Sequence, residues 1–333
     1  MLSRWLQRQW FDQRRLTPVL WLFLPLAWLY ALLSAINRRF TRQTRLPVPV
    51  IVVGNIIVGG AGKTPLTLWL AGELRRRGWR PGIVSRGYGR TGDQLRPVVA
   101  DSTAAEVGDE PLLLARRSGV PVWVGGQRAE AGAALLAAHP EVNVLLCDDG
   151  LQHYALARDV ELVVFDRRGA GNGWRLPLGP LREPLSRLAT VDAVIANELS
   201  ETTFSVPVPR FPMTLRPGRF HRLDNPSETC SVDELLARDK CHALAGIGHP
   251  ERFFRTLENL GLSIEPHPFP DHHRYSAADL AFASNGVLLM TEKDAVKCTG
   301  LTAGETWVLP VEAELSPALI DLILEKIHGR QAA

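Results

Sequence analysis

A glycine-rich hexapeptide, Gly59–Thr64 (GGAGKT), lies between a strand-like segment and a helix-like segment, and it restricts the possible fold more than any other feature of the sequence. The preceding residues Val48–Val58 (VPVIVVGNIIV) have the β-branched composition of a buried strand, and Lys63–Arg77 has the pattern of a helix. Glycines allow backbone N–H groups to surround phosphate oxygens at a helix N-terminus, while the lysine and the threonine supply an ammonium and a Mg²⁺-binding hydroxyl. The sequence therefore predicts a phosphate-binding loop, although the general pattern has glycine where this chain has Ile57.

The lysine of this loop is unusual for the chain. The protein contains 33 arginines and five lysines, and Lys63 is the only lysine among the first 239 residues. A phosphate-binding loop needs the compact ammonium of a lysine. The presence of a lysine at this position, in a chain that otherwise uses arginine, therefore favours a phosphate-binding role. The residues predicted to bind ATP are Ile57, Val58, Gly59, Gly60, Ala61, Gly62, Lys63 and Thr64.

Strand and helix patterns alternate along most of the remaining chain, with strands predicted at Pro81–Ser85 and Trp307–Val311 and helices at Arg128–Ala138 and Leu181–Leu188, among others. Alternation of this kind predicts an α/β fold, here a P-loop NTPase-like parallel sheet with helices on both faces. The proline-rich segment SVPVPRFPMTLRPGRF interrupts the alternation, which resumes afterwards in a second, smaller α/β lobe. We therefore predict a kinase domain at residues 46–200, an extended linker at 201–225 and a C-terminal lobe at 226–333.

Residues 1–45 form a separate basic and apolar segment. They hold eight arginines against one acid, Asp12, and residues 17–36 contain no charge. Twenty uncharged residues could span a bilayer core, but arginines flank both ends and two prolines would shorten or kink a span. The segment predicts an N-terminal membrane-associated helix, either inserted at the interface or spanning, with a buried core helix as the alternative.

Two pairs of acidic side chains are candidates for the site. One pair follows the apolar strand segment Val142–Cys147, and the other precedes a helix further upstream. Asp148 and Asp149 are adjacent carboxylates, which favours a nearby cation and predicts a Mg²⁺ site. Asp109 and Glu110 could act at the site or could simply cap a helix N-terminus. The polar cluster at 271–275 (DHHRY) contains histidines that could orient a carboxylate base or could belong to an ordinary surface loop.

The cysteines and histidines have no metal-binding spacing. The four cysteines lack a CxxC pair, and the nine histidines lack an HExxH motif. The sequence therefore predicts that the thiols are reduced and that the chain has no zinc site.

Taken together, several motifs resemble the tetraacyldisaccharide 4′-kinases, the lipid A kinases of Gram-negative bacteria. The resemblance extends along most of the chain, with Leu151 where an aromatic residue is expected. The motifs that carry it are GNIIVGGAGKTP (54–65), SRGYGR (85–90), GDEP (108–111), DDGLQH (148–153), LPLGPLREP (176–184), FPDHHRY (269–275) and TEKDAVK (291–297).

This resemblance implies transfer of the γ-phosphate of ATP to the 4′-hydroxyl of a tetraacyl glucosamine disaccharide 1-phosphate, a late step of lipid A biosynthesis. It implies an enzyme at the cytoplasmic face of the inner membrane, with the glycolipid and the membrane surface as partners and neither nucleic acid nor an obligatory protein partner. It assigns Asp109 as the base, a histidine of the DHH segment as its partner (His272, with His273 not excluded) and Lys63 as a catalytic cation. The implied metal residues are Thr64, Glu110, Asp148 and Asp149. The residues implied to face the lipid are Arg86, Tyr88, Arg128, His153 and Arg182. Arg182 and Glu183 could instead form a structural ion pair.

The alternative function is a membrane-anchored ATPase or GTPase switch that shares the phosphate-binding loop. A GTPase would carry an Asn-Lys-x-Asp base-recognition motif after a strand. The segment 197–200 (NELS) lacks the lysine and the aspartate, and 291–294 (TEKD) has them in the wrong register. These differences favour a kinase.

Overall fold

The structure, a computed structural model, describes residues 2–11, 17–198, 206–237, 241–284, 286–302 and 304–331. Two 3₁₀ helices occur at Leu185–Thr190 and Ala277–Ala283. The α-helices are α1 (Leu2–Phe11), α2 (Pro18–Trp21), α3 (Leu24–Phe40), α4 (Lys63–Arg76), α5 (Ala104–Val107), α6 (Asp109–Ser118), α7 (Arg128–Ala138), α8 (Val232–Leu236), α9 (Pro250–Asn259), α10 (Glu292–Cys298) and α11 (Ala318–Gln331).

The strands form two sheets. They are β1 (Val50–Gly54), β2 (Pro81–Ser85), β3 (Arg96–Pro97), β4 (Val122–Val124), β5 (Val144–Asp148), β6 (Val160–Asp166), β7 (Ala193–Asn197), β8 (Arg210–Pro217), β9 (Phe220–Arg222), β10 (Thr229–Cys230), β11 (Cys241–Ala245), β12 (Ile264–Pro268), β13 (Val287–Thr291), β14 (Thr306–Leu309) and β15 (Val311–Leu315).

The first sheet has nine strands in the order β15-β8-β7-β6-β1-β5-β2-β4-β3. Its seven inner strands are parallel, and the edge strands β15 and β3 are antiparallel to their neighbours. The central strands β1, β5 and β6 are buried along their whole length, because separate hydrophobic cores cover the two faces of the sheet. The predicted α/β class with a parallel-rich sheet is therefore confirmed.

The second sheet has six strands in the order β10-β9-β14-β13-β11-β12. The strands β14, β13, β11 and β12 are parallel, whereas β9 and β10 are antiparallel. This sheet also carries a core on each face. Because the carboxyl end of β12 precedes the 269–275 segment and that of β13 precedes α10, the chemistry-bearing loops of this lobe lie at one edge of its sheet.

The segment from Val311 onward belongs to the first lobe. The predicted C-terminal lobe at 226–333 is therefore wrong in its last part, since it included this segment. Strand β15 pairs with β8 from Val311 to Leu315, and α11 packs its buried Leu319, Ile320 and Ile323 into the core of the first sheet. Pro310 ends β14, and its carbonyl accepts a hydrogen bond from the Gly218 N–H at 2.9 Å. The chain therefore passes between the lobes at two adjacent places, Gly218 and Pro310. Strand β8 belongs to the first sheet, although it lies within the predicted linker at 201–225.

Three N-terminal helices pack beside the first lobe. Helix α3 has 17 residues, and among the described residues no helix has the length and apolar character needed to cross a membrane. The Trp10 indole N–H donates to the Pro177 carbonyl at 3.0 Å, and the Tyr30 hydroxyl donates to the Arg182 carbonyl at 3.2 Å. These contacts attach the N-terminal helices to the segment that precedes and follows Pro180.

Candidate functional site

The phosphate-binding loop connects the carboxyl end of β1 with the N-terminus of α4. Gly62 immediately precedes Lys63, the first residue of α4, and its φ of 99° lies in the left-handed region. A side chain at this position would also meet the Asn197 amide, since a Cβ there would lie 2.7 Å from Nδ2. Both the backbone conformation and the limited space therefore require glycine at this position.

Three side chains hold the carbonyl groups of this loop, and none of them was predicted from the sequence. The Asn55 amide donates to the Gly59 carbonyl at 2.9 Å, the Asn197 amide to the Ala61 carbonyl at 3.0 Å, and the Arg168 guanidinium to the Gly60 carbonyl at 2.9 Å. Because the carbonyls are held on the outside, the loop N–H groups remain available for an anion. Asn55 was part of a quoted motif, but nothing in the sequence marked the distant Arg168 or Asn197.

Lys63 lies beside the predicted metal carboxylates. Its Nζ atom is 3.2 Å from Asp149 Oδ1, and Arg182 NH1 is 3.9 Å from the same oxygen. Burial acts to raise the pKa of Asp149, but Lys63 and Arg182 outweigh it, so the pKa falls below its ordinary value. Asp149 is therefore an anion that bridges the phosphate-binding loop and Arg182.

Asp148 is buried more completely than Asp149. The Thr67 hydroxyl donates to Asp148 Oδ1 at 3.0 Å, whereas Oδ2 is buried and has no hydrogen-bond partner among the described residues. Burial, Glu110 and Asp149 raise the pKa of Asp148 to about 7. A buried carboxylate oxygen without a partner, close to two further acids, fits the all-oxygen coordination of Mg²⁺ or one of its water ligands.

The predicted base and its histidine partner come from different lobes. Asp109 is the first residue of α6 in the first lobe, and its Oδ2 atom lies 2.9 Å from Nδ1 of His272 in the second lobe. Burial acts to raise the pKa of Asp109, but His272 and Lys293 lower it overall; the hydrogen bond to Asp109 raises the pKa of His272 against the effect of burial. His273, the other histidine considered, instead lies 3.6 Å from Asp279.

Lys293 is a residue of this site that the sequence analysis did not assign. Its ammonium lies 3.1 Å from Glu110 Oε1, 3.9 Å from Asp109 Oδ2 and 3.4 Å from His272 Nε2. Burial acts to lower its pKa, but the surrounding carboxylates raise it overall, so the side chain remains charged. The TEKDAVK motif was quoted without a role, and the only available signal was the presence of a lysine in an arginine-rich chain.

The backbone at two predicted site residues is strained. Asp149 has a φ of 49° and His272 a φ of 59°, in the left-handed region that non-glycine residues rarely adopt. Such conformations cost of order 1–3 kcal/mol and persist where the surrounding structure holds them. One of these strained residues, Asp149, lies in the first lobe, and the other, His272, lies in the second lobe.

A cavity of about 520 Å³ opens beside the Asp109–His272 pair. Its lining includes Tyr88, Arg116 and Arg274, and the exposed Tyr88 ring contacts the His272 ring edge-on with 5.0 Å between centroids. The Arg274 guanidinium also donates to the Gly89 carbonyl at 3.3 Å, which links the two lobes at the cavity mouth. Tyr88 is thus a predicted lipid-facing residue that lines the same cavity as Asp109.

The remaining predicted lipid-facing residues form a basic cluster near Asp149. Arg128 is buried and donates to the Gly125 carbonyl at 2.6 Å, but its Nε and NH2 atoms have no partner among the described residues. Burial and the charges of Arg128 and Arg86 lower the pKa of His153 to about 4. The neutral His153 and the guanidinium of Arg128, which has unpaired N–H groups, therefore form an environment that could bind an anion.

Comparison with known proteins gives consistent matches over nearly the whole chain. The profile of the family described as tetraacyldisaccharide-1-P 4′-kinase matches residues 19–328. A tetraacyldisaccharide 4′-kinase of Dechloromonas aromatica (strain RCB) is 75% identical over 333 residues, 100% of both chains. Another, from Azoarcus sp. (strain BH72), is 50% identical over 319 residues, 94% of this chain and 93% of that one.

A solved structure supports the same relationship. The crystal structure described as the "apo" form of LpxK from Aquifex aeolicus in complex with ATP has a TM-score of 0.80 against this chain. The two are 29% identical, and the match covers 93% of this chain and 99% of the other.

Proposed function

The chain belongs to the tetraacyldisaccharide-1-P 4′-kinase family, and we propose that the cleft between its two lobes is the place where phosphoryl transfer occurs. The activity is the ATP-dependent phosphorylation of the 4′-hydroxyl of a tetraacyl glucosamine disaccharide 1-phosphate, in lipid A biosynthesis. The observation that carries the proposed location is the 2.9 Å contact between Asp109 and His272, since it unites a residue of each lobe beside a cavity.

In the proposed reaction, Asp109 accepts the proton of the 4′-hydroxyl. A new bond forms between that oxygen and the γ-phosphorus, the bond from the γ-phosphorus to its bridging oxygen breaks, and ADP leaves with the bonding electrons. The lowered pKa of Asp109 makes it a weak base in the ground state, so proton transfer becomes favourable late, once the attacking oxygen has become acidic. His272 holds the carboxylate through its Nδ1–H, and Lys63 compensates the charge of the phosphoryl group.

Mg²⁺ is proposed at the carboxylates beside the phosphate-binding loop. Thr64, Glu110, Asp148 and Asp149 would hold it, and when bound it would neutralise charge on the phosphate oxygens. The unpartnered Oδ2 of Asp148 supports this assignment. We expect Asp149→Asn to raise the Mg²⁺ concentration for half-maximal rate by about tenfold, whereas the exposed control Asp224→Asn leaves it unchanged. An unaltered Mg²⁺ titration in Asp149→Asn would remove Asp149 from the metal site.

Attachment to the cytoplasmic face of the inner membrane through the N-terminal helices is also proposed. Large apolar side chains of α2, α3 and the turn between them are exposed, among them Leu22, Trp28 and Leu32. Exposed apolar patches of this kind mark interaction surfaces, and the arginines of residues 1–45 complement anionic lipid headgroups. Through Tyr30 and Trp10 this surface is attached to the segment that carries Arg182, so a bilayer there would lie next to the proposed acceptor site.

The test of the proposed site is acceptor-dependent ADP formation. Wild-type protein should release ADP only when the tetraacyldisaccharide 1-phosphate is present, and Lys63→Ala should nearly abolish this turnover while circular dichroism stays unchanged. The matched control is Lys326→Ala, which removes a partly exposed lysine paired with Asp192 at 2.7 Å. Full turnover by a folded Lys63→Ala protein would rule out the phosphate-loop assignment. ADP release without acceptor would favour a nucleotide switch.

A further inference from the structure

A second cluster of metal-binding side chains lies in the second lobe, away from the phosphate-binding loop. His242 stands on β11 directly opposite Glu265 on β12, and His267 follows Glu265 by two residues, so all three lie on the same face of the sheet. The sequence analysis predicted no zinc site, because the histidines have no metal-binding spacing and a helix separates His242 from His267 along the chain. Their proximity results from the parallel pairing of the two strands.

The three side chains converge at coordinating distances. His242 Nδ1 lies 3.1 Å from His267 Nε2 and 3.7 Å from Glu265 Oε2, while His267 Nε2 lies 3.8 Å from Glu265 Oε1. In a tetrahedral site with ligands about 2.0–2.1 Å from the metal, neighbouring ligand atoms are about 3.3 Å apart. The observed separations bracket this value, so a metal could be held with only small side-chain movements.

The histidine rings are also fixed in orientation. His242 is buried, and the His267 ring stacks on Phe282 with 3.6 Å between centroids and 13° between planes. The Phe282 ring also contacts His242 edge-on at 5.4 Å. An aromatic ring against both imidazoles restricts their rotation, and this favours metal binding.

From this geometry we propose that His242, Glu265 and His267 form a site for a zinc-class divalent cation, with the fourth position open to water. Two nitrogens and one carboxylate suit Zn²⁺, Ni²⁺ or Cu²⁺, whereas the all-oxygen cluster at Asp148 suits Mg²⁺. The site would therefore select a different metal from the proposed catalytic one. Without a metal, the two imidazoles share a single hydrogen bond across the 3.1 Å separation.

The site has a structural connection to the catalytic loop. His267 is the fourth residue of β12, an edge strand, and the chain continues directly from this strand into the segment that carries His272. A metal that ties β12 to β11 would stabilise the start of that segment. The inference concerns metal binding by this lobe and does not depend on the proposed kinase site.

The experiment is a Zn²⁺ titration of the full chain, after removal of bound metal with EDTA, followed by calorimetry and by thermal unfolding. We expect one Zn²⁺ bound by the wild type and a rise in Tm, with an affinity at least about tenfold weaker in His267→Gln and in Glu265→Gln. Both variants keep side-chain size, so they remain informative even if His242→Ala does not fold. X-ray absorption at the zinc edge should show two imidazole ligands in the wild type only.

Two control variants separate this site from other histidines. His139→Gln removes an exposed histidine that lies 3.3 Å from Glu141, and it should bind Zn²⁺ as the wild type does. His272→Gln removes the histidine of the active-site cleft and should also retain the metal. Unweakened binding in His267→Gln, or loss in His272→Gln instead, would overturn the proposal.

Discussion

Asp109 Oδ2 and His272 Nδ1 lie 2.9 Å apart, although one residue begins a helix of the first lobe and the other lies in a loop of the second. The pair therefore exists only when the two lobes are in contact. Arg274 and Lys293 add further links across the same boundary, to Gly89 and Glu110. Assembly of the proposed base is thus coupled to lobe closure, which would protect the γ-phosphate from water until the acceptor is present.

The first prediction concerns this pair. Asp109→Ala should lower kcat by about 10²-fold or more with little change in ATP affinity, because it removes the proton acceptor and no nucleotide contact. His272→Ala should lower kcat less. The double variant should lose less than the product of the two effects, since the residues act as one unit. Steady-state kinetics with His273→Ala as control would measure this, and strictly multiplicative losses would argue against a pair.

The second prediction concerns Lys293, whose ammonium neighbours Asp109, Glu110 and Asp271. In Lys293→Met the pKa of Asp109 should rise, because a cation that lowers it is lost. The acid limb of the kcat–pH profile should therefore move to higher pH, and kcat at neutral pH should fall about tenfold. Lys326→Met is the surface control. A drop in kcat without movement of the acid limb would indicate a structural role only.

The third prediction is the pH dependence of stability. The pKa of His272 is raised above 6.5, so its stabilising contribution is complete below pH 6.5 and is lost as pH rises through the folded-state pKa. The pKa of Asp109 is lowered below 3.8, so its contribution is complete above pH 3.8 and is lost as pH falls through the folded-state pKa. Urea unfolding should therefore show a larger loss of stability for His272→Ala at pH 5.5 than at pH 9. An equal loss at both values would contradict the ion pair.

The fourth prediction tests the proposed membrane surface. Leu22 is 79% and Trp28 67% exposed, so replacing both by glutamine should leave the fold intact. Because each buried large apolar side chain contributes about 1.5–3 kcal/mol, binding to anionic phospholipid vesicles should weaken at least about tenfold. Val99→Gln with Leu236→Gln removes two apolar side chains elsewhere, which are 49% and 46% exposed, and serves as control. Equal flotation of the two double variants would place the membrane contact elsewhere.

The sequence predicted the elements whose patterns are local. Pro81–Ser85 and Arg128–Ala138 have the predicted bounds, because proline, glycine and the apolar periodicity mark where each begins and ends. The position of Lys63 at a helix N-terminus followed from the same local information. Asp148 and Asp149 could be placed at the carboxyl end of a strand, where the structure has them.

Features that depend on distant pairing were not predictable in this way. The sequence pattern predicts one strand at Trp307–Val311, whereas Pro310 separates β14 from β15, which join different sheets. The helix predicted at Leu181–Leu188 is a 3₁₀ helix at Leu185–Thr190, since the residues before it bond instead to Ile56 and Val58, ahead of the phosphate-binding loop. The roles of Lys293 and Arg168 required knowledge of which loops meet.

The pairing of β8 with β15 has a consequence for synthesis of the chain. The second lobe is inserted between these two strands, so the first sheet lacks an edge strand and helix α11 until Val311–Leu315 and Ala318–Gln331 have left the ribosome. During translation the inserted lobe can complete its own sheet earlier, while β8 presents an unpaired edge. Truncation near the C-terminus would accordingly damage the nucleotide-binding half rather than the half that is encoded next to it.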